Sequence, residues 1–147
     1  MISKAGTFAF KPVMAELKTN KNIFKADPYC VITMGAQKKR TIPSKNGKKP
    51  TWNETLIFDR TSEEILSVQL WDKDHFSSDD FIAEGSVGID FCFKTGNQQV
   101  WIDLYSKGEL VGKLLMECEV TKHANPMAQV FGPNPYANFV FGAQAQV

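Results

Sequence analysis

Two antiparallel sheets packed face to face, an all-β fold, are what the sequence predicts, on three observations. About eight short segments alternate apolar and polar residues with period two, turn residues separate them, and no apolar stretch has α-helical periodicity. The first strand is expected from Thr7 to Leu17, where Phe8 and Phe10 alternate with Ala9 and Lys11, and Pro12 puts it at an edge or on a bulge. A second runs from Tyr29 to Met34; Gly35-Ala36-Gln37 turns it, and Arg40 to Ile42 returns. In TWNETLIF, Trp52, Leu56 and Phe58 oppose Asn53, Thr55 and Ile57. Further strands are expected at Ile65 to Trp71, Gly85 to Asp90, Val100 to Leu104 and Lys113 to Val120. In the last of these, Leu114, Met116, Cys118 and Val120 share one face.

A length of 147 residues suits one domain that buries its own core. The sandwich is expected over residues 1–122, and 123–147 form a low-complexity tail rich in Asn, Pro, Gly, Gln and Ala, expected to be disordered. The formal net charge of +1 does not suggest nucleic acid as a partner. Cys30, Cys92 and Cys118 make no even framework and no C-x-x-C pair, which fits a reducing, cytoplasmic setting. Lys4, Lys11 and Pro12 interrupt the first apolar residues, so neither a signal-peptide core nor a spanning helix is expected, and membrane contact would be peripheral.

The most informative window is WDKDHFSSDDFIAEG, Trp71 to Gly85. Leu66, Val68 and Leu70 have the parity of a buried face, and Asp72 and Asp74 continue it, so the strand has reached the rim of the core. Carboxylates this close repel one another unless a cation lies between them. Oxygen ligands at short spacing suit a hard ion such as calcium, although DKD and SSDD are also ordinary turn residues. An EF-hand is excluded, because counting from Asp72 the Gly position is Ser77 and the bidentate Glu position is Ala83.

With Ala15-Glu16-Leu17, Asp27-Pro28-Tyr29, Trp52-Asn53-Glu54 and DKDHFSSDD in that order, the chain resembles a C2 domain from roughly Gly6 to Val120. The resemblance implies an eight-stranded antiparallel β-sandwich whose loops at one end bind calcium and dock on phospholipid. Because the chain begins with the strand before DPY, it also implies the type II circular variant, with its extra strand at the C-terminal end. Asp27, Asp72, Asp74 and Asp80 fall on the family's calcium-ligand positions. The remaining first-loop position, six residues before Asp27, is Lys21, which cannot ligate and would weaken the site; Asn20 or Asn22 would serve if the loop shifts. Asp79 has no ligand role in the family and is expected to be an exposed turn residue, while Ser77 offers an oxygen to a further weak site.

Between Pro28 and Asn53 there is no acidic residue and there are six basic ones: Lys38, Lys39, Arg40, Lys45, Lys48 and Lys49. They read either as lysines guarding a sheet edge or as a patch for anionic headgroups. Nucleic acid fits them poorly, since no interleaved aromatics or reading motif accompany them. Phe76, and Ile23 and Phe24 in the first loop, are candidates for insertion into a bilayer; Phe24 serves equally as a core plug. Two histidines, His75 and His123, and no Ser-His-Asp or Cys-His arrangement point to a binding module rather than an enzyme. The leading expectation is a peripheral module that binds calcium at a weakened site together with an anionic phospholipid membrane surface. The alternatives are calcium-independent lipid binding, or a protein-interaction scaffold whose tail, with Asn134-Pro135-Tyr136, binds a partner.

Overall fold

The computed structural model describes residues 5–18, 26–96 and 98–122. Eight strands follow one another: β1 (Gly6–Leu17), β2 (Pro28–Met34), β3 (Gln37–Arg40), β4 (Leu56–Arg60), β5 (Ile65–Asp72), β6 (Asp80–Gly88), β7 (Gln99–Ser106) and β8 (Glu109–Lys122). A 3-10 helix, Ile89–Phe93, links β6 to β7. Neighbours hydrogen-bond in the order β3-β2-β5-β6-β7-β8-β1-β4, and every pair is antiparallel. Between β6 and β7 the register reduces to Glu84 opposite Tyr105. There Gly85 lies so close to β7 that a Cβ would stand 2.1 Å from the Asp103 carbonyl oxygen.

The alternation of the sequence is the alternation of burial. Phe8 and Phe10 from β1, Cys30, Ile32 and Met34 from β2, Leu66, Val68 and Leu70 from β5, and Leu114 and Met116 from β8 enter one core. Phe10 is its aromatic centre: its ring centroid lies 6.0 Å from Phe8, 5.7 Å from Phe58 and 6.5 Å from Phe91. Phe91 reaches it from the 3-10 helix, which thereby plugs the core where the chain passes from β6 to β7. Pro12 lies on a bulge, the alternative that suits an inner strand, since β1 is flanked by β8 and β4 and the register shifts between Pro12 and Met14.

Three expected strands move. The return strand is Gln37–Arg40 rather than Arg40 to Ile42, because Ile42 N–H donates to Glu54 Oε2 at 2.7 Å and leaves the ladder. TWNETLIF becomes strand only from Leu56. Before it, Trp52 is a plug whose Nε1 donates to the Pro28 carbonyl at 3.1 Å. The strand expected at Gly85 to Asp90 starts at Asp80 and stops at Gly88, where Ile89 turns into the helix. The tail from residue 123 lies outside the described residues. The ends of β1, β3 and β5 and the starts of β2, β4 and β6 share one end of the sandwich, and there Asp27, Asp72 and Asp80 stand.

Candidate functional site

Register brings three of the four candidate metal-ligand aspartates to one rim. Pro28 pairs with Asp72, and Asp72 with Asp80, so Asp27, Asp72 and Asp80 stand on three adjacent chain segments. Backbone donors face the Asp72 and Asp74 carboxylates. Asp72 Oδ1 accepts Asp27 N–H at 2.9 Å. Asp74 turns its carboxylate into its own loop, where Oδ1 accepts Phe76 N–H at 2.8 Å and Ser77 N–H at 3.2 Å while Oδ2 accepts the Ser77 hydroxyl at 2.8 Å. These donors, the Phe76 amide foremost, hold the Asp74 carboxyl below its ordinary range. Ser77 is thus a loop brace in this arrangement. Among the described residues no group of three or more His, Cys, Asp or Glu side chains stands placed to hold a metal ion. Calcium takes six to eight oxygens at about 2.3–2.6 Å, so the described donor set does not by itself fit a calcium cage. The first-loop positions Asn20, Lys21, Asn22, Ile23 and Phe24 lie outside the described residues.

Asp79 departs from the exposed turn residue expected of it. Its side chain is 17% exposed. Tyr29 Oη donates to Asp79 Oδ2 at 2.5 Å, Asp74 N–H donates to Asp79 Oδ1 at 3.0 Å, and the Lys73 ammonium lies 3.8 Å from the same oxygen. The Asp74 amide, and after it Tyr29, keep the Asp79 carboxyl below the usual range, while burial and then Asp79 push the Tyr29 hydroxyl up. The loop from Lys73 to Asp79 folds back, and its last residue before β6 comes to rest against the outer face of β2.

That outer face carries a groove of about 650 Å³ lined by Tyr29, Lys38, Arg40, Trp71, Ser78 and Asp79, among others. Strand parity makes it. Arg40 pairs with Val31 and Lys38 with Thr33, both on the face of β2 that points away from Cys30 and Ile32. The Arg40 guanidinium stacks 4.9 Å from the centroid of the Tyr29 ring. Trp71 packs edge-on against Phe81 at 5.5 Å and donates from Nε1 to Gln69 Oε1 at 3.0 Å. Lys39 has the opposite parity and extends its ammonium over Phe58 of β4, 5.6 Å from the ring centroid. Lys45, Lys48 and Lys49 lie in the second loop, between β3 and β4. Lys45 and Lys49 are exposed, Lys48 is half-buried, and the Lys48 carbonyl accepts Leu17 N–H at 3.2 Å. Lys38, Lys39 and Arg40 therefore all border the groove, Lys39 with its ammonium turned toward Phe58, and the other three basic residues lie in the loop between β3 and β4. At the tip of the third loop, between β5 and β6, Phe76 is 99% exposed, the Phe76 and Ser77 amides being held by Asp74.

A C2 domain family model matches residues 10–104. The chain belongs to the C2 domain family. This C2 domain is similar to Elicitor-responsive protein 1 of Oryza sativa subsp. japonica, 36% identical over 73 residues that cover 46% of each chain. It is similar also to Intersectin-2 of Mus musculus, 29% identical over 103 residues, 69% of this chain and 6% of that one. The chain spans about half the length of the rice relative, 46%. Among solved structures, a C2 domain of plant Extended Synaptotagmin 1 superposes with a TM-score of 0.71 at 18% identity, covering 82% of this chain and 97% of that one. A structure holding two C2 domains of Extended-Synaptotagmin 2 superposes with a TM-score of 0.64 at 25% identity, covering 81% and 42%. These likenesses bear on the fold.

Three residues of the candidate site escaped the sequence argument: Tyr29 and Trp71, which wall the groove, and Asp79, which enters it. Tyr29 has outer parity in β2, and that signal was available. Nothing local marks Asp79, whose partner is fifty residues away in the chain. Ile42, expected in a strand, is 68% exposed beside the lysine-rich loop.

Proposed function

We propose that this C2 domain is a peripheral membrane module that binds anionic phospholipid through the groove between β3 and the third loop, without needing calcium for that contact. The observation that carries the reading is the pairing of Lys38 and Arg40 on one face beside the Tyr29 hydroxyl and the Trp71 ring. Guanidinium, ammonium and phenol donors converging on a concave surface suit a phosphate, and two aromatic rings flank the contact. The exposed second-loop residues Lys45 and Lys49 add long-range attraction to an acidic leaflet at about 1 kcal/mol each, and Phe76 supplies an apolar tip for insertion. This is a binding reading; no catalytic step is assigned to the site. Calcium bridging at Asp27, Asp72, Asp74 and Asp80 would require oxygens beyond those the described residues bring together.

The test is sedimentation with phosphatidylserine and phosphatidylcholine vesicles, in calcium and in chelator. Lys38→Ala and Arg40→Gln should each weaken binding about fivefold, with a shallower salt dependence and the same loss in chelator. Binding that vanishes in chelator, or that ignores both substitutions, overturns the groove as the docking surface.

A further inference from the structure

The groove already contains an anion. Asp79, from the third loop, occupies it with a carboxylate that takes the Tyr29 hydroxyl at 2.5 Å and lies 3.8 Å from the Lys73 ammonium, while Arg40 stacks 4.9 Å from the Tyr29 ring centroid. A phosphate would seek the same hydroxyl donor and the same cationic surroundings. We propose that Asp79 is a built-in counter-anion of the basic groove, which a lipid headgroup phosphate must displace to bind. It rests on the groove reading above and adds the residue that sets its threshold.

The chemistry follows from like charge. A carboxylate and a phosphate on one phenol hydroxyl repel, and the low-dielectric wall of Tyr29 and Trp71 strengthens that repulsion. Binding energy is therefore reduced by the energy of releasing Asp79 from Tyr29, so that a weakly charged surface binds poorly and a densely anionic one binds well. Asp79 Oδ1 also holds the Asp74 amide at 3.0 Å, and Asp74 holds the Phe76 amide at 2.8 Å. Displacement of Asp79 thus removes the outer support of the loop that carries Phe76, and headgroup capture loosens the residue that would insert.

Asp79→Asn tests this, because its amide oxygen still accepts from Asp74 N–H and its amide nitrogen faces the Tyr29 oxygen, which turns to accept, while the charge is gone. With phosphatidylserine and phosphatidylcholine vesicles in chelator, Asp79→Asn should bind about fivefold more tightly than the natural chain. Glu119→Gln removes the same charge from an exposed position on β8 and should change binding little. In an Arg40→Gln background the gain from Asp79→Asn should largely disappear. A gain no larger than that of Glu119→Gln, or one that persists undiminished without Arg40, overturns the proposal while the loss in Arg40→Gln alone still supports the groove. If Arg40→Gln and Lys38→Ala leave vesicle binding unchanged, the groove reading itself fails and Asp79 loses its role with it. Titration with inorganic phosphate separates the sources of the ligand: a gain confined to vesicles supports a lipid headgroup, and an equal gain with inorganic phosphate overturns that assignment.

Discussion

The side chain of Gln37 pairs with the backbone of Asp59 as a strand would: Oε1 accepts the Asp59 N–H at 2.9 Å, and Nε2 donates to the Asp59 carbonyl. Gln37 opens β3 and Asp59 lies in β4, the two strands at opposite ends of the hydrogen-bonded order. One amide side chain thereby ties together the two edges of an otherwise open sheet, with Lys39 over Phe58 beside it. Gln37→Ala should lower stability by about 1 kcal/mol, the net worth of an exposed hydrogen-bonded pair. Gln37→Glu should not restore it, because a carboxylate cannot donate to the Asp59 carbonyl. Urea denaturation of the three proteins decides the matter, and equal midpoints would show that the sheet edges need no such tie.

Phe10 is fully buried and touches Phe8, Phe58 and Phe91. Phe10→Ala should destabilise the fold by about 3–5 kcal/mol through lost transfer energy and the cavity left behind. Measured by denaturant midpoint at unchanged slope, a loss below about 1 kcal/mol would mean that the aromatic centre collapses to fill the space.

Gly85 owes its place to contact rather than to backbone angle. A methyl group there meets the Asp103 carbonyl oxygen at 2.1 Å and Ile102 Cγ2 at 3.0 Å. Gly85→Ala should therefore force β6 from β7 and lower stability by about 1–3 kcal/mol, as overpacking does. Amide exchange in β7 should quicken before exchange in β1, because the strain lies at the β6–β7 seam.

Phe76 makes the opposite case. With its side chain 99% exposed it contributes no packing. Phe76→Ala should leave the thermal midpoint within the range of about 0.5 kcal/mol typical of surface substitutions. If the ring inserts, vesicle affinity should fall about tenfold, since burying a phenylalanine is worth about 1.5–3 kcal/mol. Unchanged vesicle binding would place the docking contact entirely in the groove.

What the sequence determined by itself is what local alternation can encode. The parity of Phe8 and Phe10, of Leu66, Val68 and Leu70, and of Leu114 and Met116 decides which side of a strand is buried, and each buries as its period-two pattern requires. The same rule, applied to Lys38-Lys39-Arg40, turns the Lys39 ammonium toward Phe58, while all three residues border one groove. The aspartates were legible as a rim because Asp72 continues a buried parity beyond the last apolar residue. Where their oxygens point has two origins, local turn bonds at Asp74 and tertiary contacts at Asp72 and Asp79. Asp74 closes on Ser77 and the Phe76 amide because those donors are its nearest neighbours in a tight loop. Trp52 and Glu54 leave the strand pattern for partners at Pro28 and Ile42, across loops whose approach no alternation records. Asp79 meets Tyr29 because the β2–β5 register and the fold-back of the third loop bring together residues fifty positions apart. A hydrogen bond at that separation depends on the closing of the whole sheet, and so it has no signature in the residues on either side of it.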